Sequence, residues 1–161
     1  MNWLGAFLVV IASYLCGITL SKDEYDKLNT VESLMELIAY MKRRMSLERL
    51  PLLRIFFEYD GRSKKIDRFL TELRSYNVRI DKAWKNAVLL LSVDENTKKE
   101  LIRFGESLGQ LALDEQIKRL DSISSFLEAK RKELTDSLPA RQKSIKAVCT
   151  LIGMMTAIIL L

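Results

Sequence analysis

Arg103-Phe-Gly-Glu-Ser-Leu-Gly-Gln-Leu111 is the stretch on which the fold turns. Its glycines, Gly105 and Gly109, stand four residues apart. On a helix that spacing bares a strip of backbone to a neighbouring helix, and in a connector it supplies a turn. Either arrangement predicts close packing at this point. Ahead of it the chain reads as several short helical segments; behind it a single long periodic run ends in an uncharged hydrophobic tail.

In the long run, Leu113, Ile117, Leu120, Leu127, Leu134 and Leu138 follow alternating steps of four and three. Ser124 and Arg131 fill the missing places, and Ile123 and Phe126 widen the stripe. This predicts one long amphipathic helix, which Pro139 is expected to kink or end. Just before the glycines, Ser92-Val-Asp-Glu95 matches a capping box, with Asp94 as a competing cap, and opens a helix through Leu101, Ile102 and Phe104.

Further upstream, Leu28, Val31, Leu34, Met35, Ile38, Met41 and Met45 recur at helical spacing between charges, with no proline or glycine among them. Pro51 suits the first turn of a new helix carrying Leu52, Leu53, Ile55, Phe56 and Phe57. Asp60-Gly61-Arg62-Ser63 reads as a turn, with Ser63 able to cap a helix that buries Ile66, Phe69, Leu70 and Leu73. Asn77 to Asp81 reads as a connector, after which Trp84, Ala87, Val88 and Leu91 repeat at helical spacing, Trp84 as a core anchor. No stretch reads as a strand. The expected fold is all-α: an antiparallel bundle of about six helices, with a membrane helix at each end of the chain.

The membrane expectation rests on where the charges are. All 26 Lys and Arg and all 21 Asp and Glu lie between Lys22 and Lys146, so the net charge of +5 belongs to the middle. Met1 to Ser21, as a helix, covers about 30 Å, roughly the hydrocarbon thickness of a bilayer, and reads as an uncleaved transmembrane anchor. Ala147 to Leu161 covers about 22 Å. A run of that length suits a short or deeply inserted membrane helix as well as a buried core helix. Arg141, Lys143 and Lys146 at its mouth favour the membrane and put the middle on the cytoplasmic side. The expected division is therefore an anchor over 1–21, a helical-bundle domain over 22–146 and a hydrophobic membrane segment over 147–161.

Chemistry is sparse. There is no histidine, and the two cysteines, Cys16 and Cys149, sit one in each hydrophobic end, where they read as small apolar residues. No phosphate-binding glycine loop, zinc spacing or nucleophile elbow is present. The basic cluster Lys42, Arg43, Arg44 and Arg49 lacks the interleaved aromatics of a nucleic-acid platform. Asp114, Glu115, Asp121 and Glu128 alternate with Lys118, Arg119, Lys130 and Arg131 as on a solvated helix face. A non-catalytic protein without metal or cofactor is expected. Glu106 reads as a contact at the turn, a cation ligand or partner contact, or a surface carboxylate beside a helix terminus.

Phe104-Gly105-Glu106-Ser107-Leu108-Gly109-Gln110, followed by Gln116-Ile117-Lys118, resembles the signature region of the stage III sporulation protein AB family of spore-forming Firmicutes. The Pro51-Leu52 and Ala83-Trp84 pairs and the hydrophobic ends agree with it in order, so the resemblance spans essentially the whole chain. Leu111-Ala112-Leu113 stands where that family commonly carries an acidic residue. The glycine stretch is also similar to the signature of the F-type inner-membrane platform proteins of type II secretion and type IV pilus machines. The resemblance implies a non-catalytic membrane platform in the secretion apparatus between mother cell and forespore. It would couple a cytoplasmic AA-type ATPase to membrane subunits in the mother-cell membrane, with Phe104, Gly105, Glu106, Leu108, Gly109 and Gln116 as the interaction or turn motif. A pore-forming or purely structural membrane subunit of another bacterial assembly is the alternative.

Overall fold

No proline stands before Pro51, and the first helix, α1 (Asn2–Glu48), runs unbroken from the hydrophobic start of the chain into the amphipathic stretch that follows. The computed structural model describes residues 2–160 except 49, 62–65 and 76–79, and of residues 2–11, 13–21, 53, 146, 153 and 157–160 it describes the backbone alone. The helices that follow are α2 (Leu52–Glu58), α3 (Asp67–Ser75), α4 (Ile80–Leu89), α5 (Glu95–Glu106) and α6 (Leu113–Leu160). Among the described residues there is no strand. The chain falls into two compact units, one of Lys27–Lys132 and one of Met1–Asp26 with Glu133–Leu161.

Lys27–Lys132 is a helical bundle. Its α1 stripe is Val31, Leu34, Leu37, Ile38, Met41 and Met45, each at most 2% exposed. Leu37 is buried although it is absent from the expected stripe, while Leu28 and Met35 are only half-buried. The buried face is thus centred a little to one side of the expected stripe. Ile66, Phe69, Leu70 and Leu73 pack α3 on α4 through Ala83, Trp84, Ala87 and Val88, and α4 packs in turn on α5 through Leu101 and Phe104. Each large side chain buried in this way contributes about 1.5–3 kcal/mol. From α6 the same unit buries Leu120, Ile123 and Leu127.

Polar contacts tie the helices at defined points. Arg74, on α3, donates to the carbonyls of Phe56 (3.0 Å) and Tyr59 (2.5 Å), closing the end of α2, whose last carbonyls have no partner within the helix. Arg44 bridges α1 to α2 through Glu58 at 3.1 Å, and Lys42 pairs with Asp121 of α6. These last pairs are largely exposed, where each is worth at most about 1 kcal/mol.

Several local expectations need correcting. Pro51 is the residue before α2, with an extended ψ of 143°, and its carbonyl accepts from Arg54 and Ile55. Ile80 and Asp81 are already helical, so α4 starts inside the expected connector. At α5 the competing cap prevails: the Asp94 side chain, not that of Ser92, accepts from the Thr97 amide. Ser63 lies outside the described residues. Pro139 does not end the long helix, which continues through it to Leu160. Pro139 is exposed, so its ring is accommodated on the outer face of the helix.

In the other unit Leu134 and Leu138 are buried, and Glu24, 9% exposed, pairs with Arg141 at 3.3 Å. Beyond Arg141, Val148, Leu151, Ile152 and Met155 fall at steps of three, one and three along α6 and remain half or more exposed. That is an apolar stripe facing outward. Among the described residues no helix is long and apolar enough to cross a membrane. The anchor expected over Met1 to Ser21 falls almost wholly on side chains outside the described residues, as do Lys146 and the last residues of the tail.

Candidate functional site

The two glycines do different things, and each does one of the two jobs their spacing allows. Gly105 lies in the last turn of α5 and is buried. A β-carbon there would meet Cδ1 of Trp84 at 2.1 Å, so glycine is what lets α4 approach α5 this closely. Trp84 uses the approach: its Nε1–H donates to the carbonyl of Leu101 at 2.7 Å, one turn earlier on α5. Gly109 is exposed, lies beyond the helix and has φ of +76°, the left-handed conformation that side chains resist.

Trp84 is at the centre of an aromatic cluster drawn from four helices. Phe69 and Phe104 meet it edge-on at 5.2 and 5.4 Å between centroids, and Phe56 is tilted against it at 6.1 Å. Such pairs add about 0.5–1.5 kcal/mol each beyond the area they bury. The motif residue Phe104 and the Ala83-Trp84 pair, far apart in sequence, are therefore one packed assembly.

The turn closes over that assembly. The Phe104 carbonyl accepts from the Ser107 amide (3.2 Å) and hydroxyl (2.8 Å), and the Gly105 carbonyl accepts from the Leu108 amide (3.1 Å). Two of the carbonyls orphaned at the end of α5 are thereby satisfied. Leu108 is 4% exposed and turns inward. Glu106 and Gln110 are exposed on the other side, and Glu106 engages no described residue. Four of the six expected motif residues, Phe104, Gly105, Leu108 and Gly109, thus build the turn, and Glu106 is the group it presents. Gln116 is half-buried, its amide bonded to the Ala112 carbonyl at the start of α6. Arg141 and Lys143 belong to the other unit, and Lys146 has no described side chain.

At the opposite end of α5 is a junction only partly foreseen. Asp94 accepts from the Thr97 amide (3.2 Å) and hydroxyl (2.8 Å), and Lys130 of α6 lies 3.4 Å from its carboxylate. Burial opposes ionisation of Asp94, but the Thr97 hydrogen bonds and the Lys130 charge outweigh it and hold the carboxyl below its ordinary range. The cap could be seen in the sequence; the contact with Lys130, thirty-six residues on, could not. Arg74, which locks α2 to α3, carried no sequence signal either.

A hollow of about 560 Å³ lies among Glu36, Tyr40, Arg43, Tyr59 and Asp60. Its lining mixes both charges around the Tyr40–Tyr59 ring pair (5.0 Å). Nearby, Arg44 is spent on Glu48, Glu58 and Tyr40. Among the described residues no buried side-chain polar atom lacks a hydrogen-bond partner, and no three His, Cys, Asp or Glu side chains are grouped to hold a metal.

Fold and site together define an all-helical bundle protein whose glycine turn is locked onto a buried tryptophan and whose ends are hydrophobic. At the turn, Phe104, Gly105 and Leu108 are spent on packing and one carboxylate, Glu106, is presented. Residues 2–161 match the family model of stage III sporulation protein AB (spore_III_AB), and the chain belongs to that family. No curated protein and no solved structure matches it.

Proposed function

We propose that this chain is a non-catalytic membrane platform of the sporulation apparatus between mother cell and forespore, which receives a cytoplasmic secretion-type ATPase of the AA type and transmits the contact to membrane subunits. The observation that carries this reading is the turn itself. The Trp84–Gly105 contact fixes the end of α5, Glu106 and Gln110 are presented from it, and two residues beyond Leu111 begins a helix that continues into the apolar tail. A surface held this rigidly loses little freedom when a partner binds.

The same reading places 1–21 and the tail in the mother-cell membrane and the bundle on its cytoplasmic side. The outward stripe of Val148, Leu151, Ile152 and Met155 below Arg141 and Lys143 supports it, since an exposed apolar face rimmed by basic residues suits an interface with lipid. The direct test is binding of the ATPase to the full chain held in bilayer discs. Wild type is expected to bind and Glu106→Arg, with unchanged helicity by circular dichroism, to lose most of the affinity. A wild-type chain that does not bind the ATPase would remove this function.

A further inference from the structure

Beside the glycine turn, α5 and α6 leave a narrow groove. Phe104 and Ile123, each 5% exposed, form its floor, and half-buried Phe126 also lines it. Arg103 stands on the α5 side and Arg119 on the α6 side, both exposed. Glu100 pairs with Arg103 at 2.9 Å, whereas Arg119 forms no ion pair with any described residue. The groove therefore carries one net positive charge over an apolar floor.

Its volume, about 70 Å³, decides what class of occupant it takes. Small-molecule sites run to roughly 300–1,000 Å³, so the groove is too small for such a ligand. The groove holds a single side chain. Two guanidiniums at the rim disfavour a cationic side chain and give a carboxylate charge-assisted, bidentate partners. An apolar floor below them suits a carboxylate carried on methylenes.

We infer that this groove receives a glutamate side chain of the ATPase, its methylenes on Phe104 and Ile123 and its carboxylate on Arg119 and Arg103. The inference rests on the platform reading above and names a second point of the same contact, one that reads an acidic residue where Glu106 offers one. An arriving carboxylate takes Arg119 directly and shares Arg103 with Glu100. The pairing is at the rim and partly solvated, so it weakens with added salt.

The test uses the full chain in bilayer discs with the ATPase as probe, and compares wild type with Arg119→Glu, Arg119→Gln and Ser122→Trp, the last filling the groove from its exposed edge. Thermal unfolding checks that each variant is folded; Arg119 and Ser122 are both exposed, so no large change is expected. Arg119→Glu and Ser122→Trp are expected to weaken binding at least about tenfold and Arg119→Gln less, and a glutamate-to-arginine exchange on the ATPase is expected to restore Arg119→Glu. Wild-type affinity in folded Arg119→Glu and Ser122→Trp would overturn the groove and leave the platform reading standing. Failure of the wild-type chain to bind the ATPase would remove both.

Discussion

A β-carbon on Gly105 would lie 2.1 Å from Cδ1 of Trp84, and the indole has nowhere to go, because Phe56, Phe69 and Phe104 surround it and its Nε1–H is held by the Leu101 carbonyl. Gly105→Ala should therefore destabilise the bundle, although alanine is the better helix former by about 1 kcal/mol. Overpacking of a filled core costs about 1–3 kcal/mol and can exceed that gain. Trp84→Ala should cost about 3–5 kcal/mol by itself. In urea denaturation of the full chain in detergent, the double variant should be less unstable than the sum of the two, with a coupling of about 0.5–3 kcal/mol. Additive losses would mean that the two residues do not share this space.

Gly109 tests the other use of glycine. Nothing lies closer to a β-carbon there than Ile80 Cγ2 at 3.7 Å, so space is not the constraint and the φ of +76° is. Gly109→Ala should cost about 1–2 kcal/mol, and Gly109→Asn distinctly less, because asparagine tolerates the left-handed region. At Gly105 the order reverses, since asparagine is the larger side chain. Denaturation midpoints for the four variants check this crossing, and the same order at both positions would refute the division of roles.

The helices were legible where large apolar residues recur at helical spacing, as in Phe69, Leu70 and Leu73 or Trp84, Ala87 and Val88. Helix starts were less so, because several residues can cap and only packing selects among them: Asp94 prevailed over Ser92 with Lys130 beside it. The glycine stretch could be recognised as a joint, but its two jobs could not be assigned, since the distinction depends on Trp84 arriving from another helix. Pro139 is expected to kink or end the helix, and the helix does not end there; what a proline inside a helix does depends on its surroundings, and the exposure of Pro139 is a tertiary fact. The α5–α6 groove belongs to the same class: Arg103 and Arg119 are sixteen residues apart and only the fold makes them neighbours of one hollow.

Asp94 gives the bundle an acid-sensitive point. Its carboxyl is held below the ordinary range, so the folded state releases that proton more readily than the unfolded chain. The stabilisation is complete above the unfolded value of about 4 and is lost as pH falls through the lower folded value. Asp94→Asn keeps a capping side chain that does not titrate, and should flatten this limb of the stability profile below about pH 4 while costing little as a cap. Asp94→Ala removes the cap as well and should cost about 1 kcal/mol at neutral pH. Parallel acid limbs for wild type and Asp94→Asn would show that the Thr97 and Lys130 contacts do not hold the charge.

Cys149 reports where the tail resides. It is a half-buried free thiol next to Val148 and one turn from Ile152, both more than half exposed. With the tail in lipid, a charged maleimide should label Cys149 slowly in sealed vesicles and rapidly after detergent is added, in a Cys16→Ser background that leaves one thiol. Ile152→Arg then supplies the counter-test. An arginine within a membrane helix costs about 2.5–3.5 kcal/mol near its centre, and the tail has only a short apolar run with which to offset it. The variant should label in vesicles nearly as fast as in detergent. If wild type already labels equally in both, the stripe of Val148, Leu151, Ile152 and Met155 is not covered by lipid, and the membrane part of the proposal falls while the turn on Trp84 is untouched.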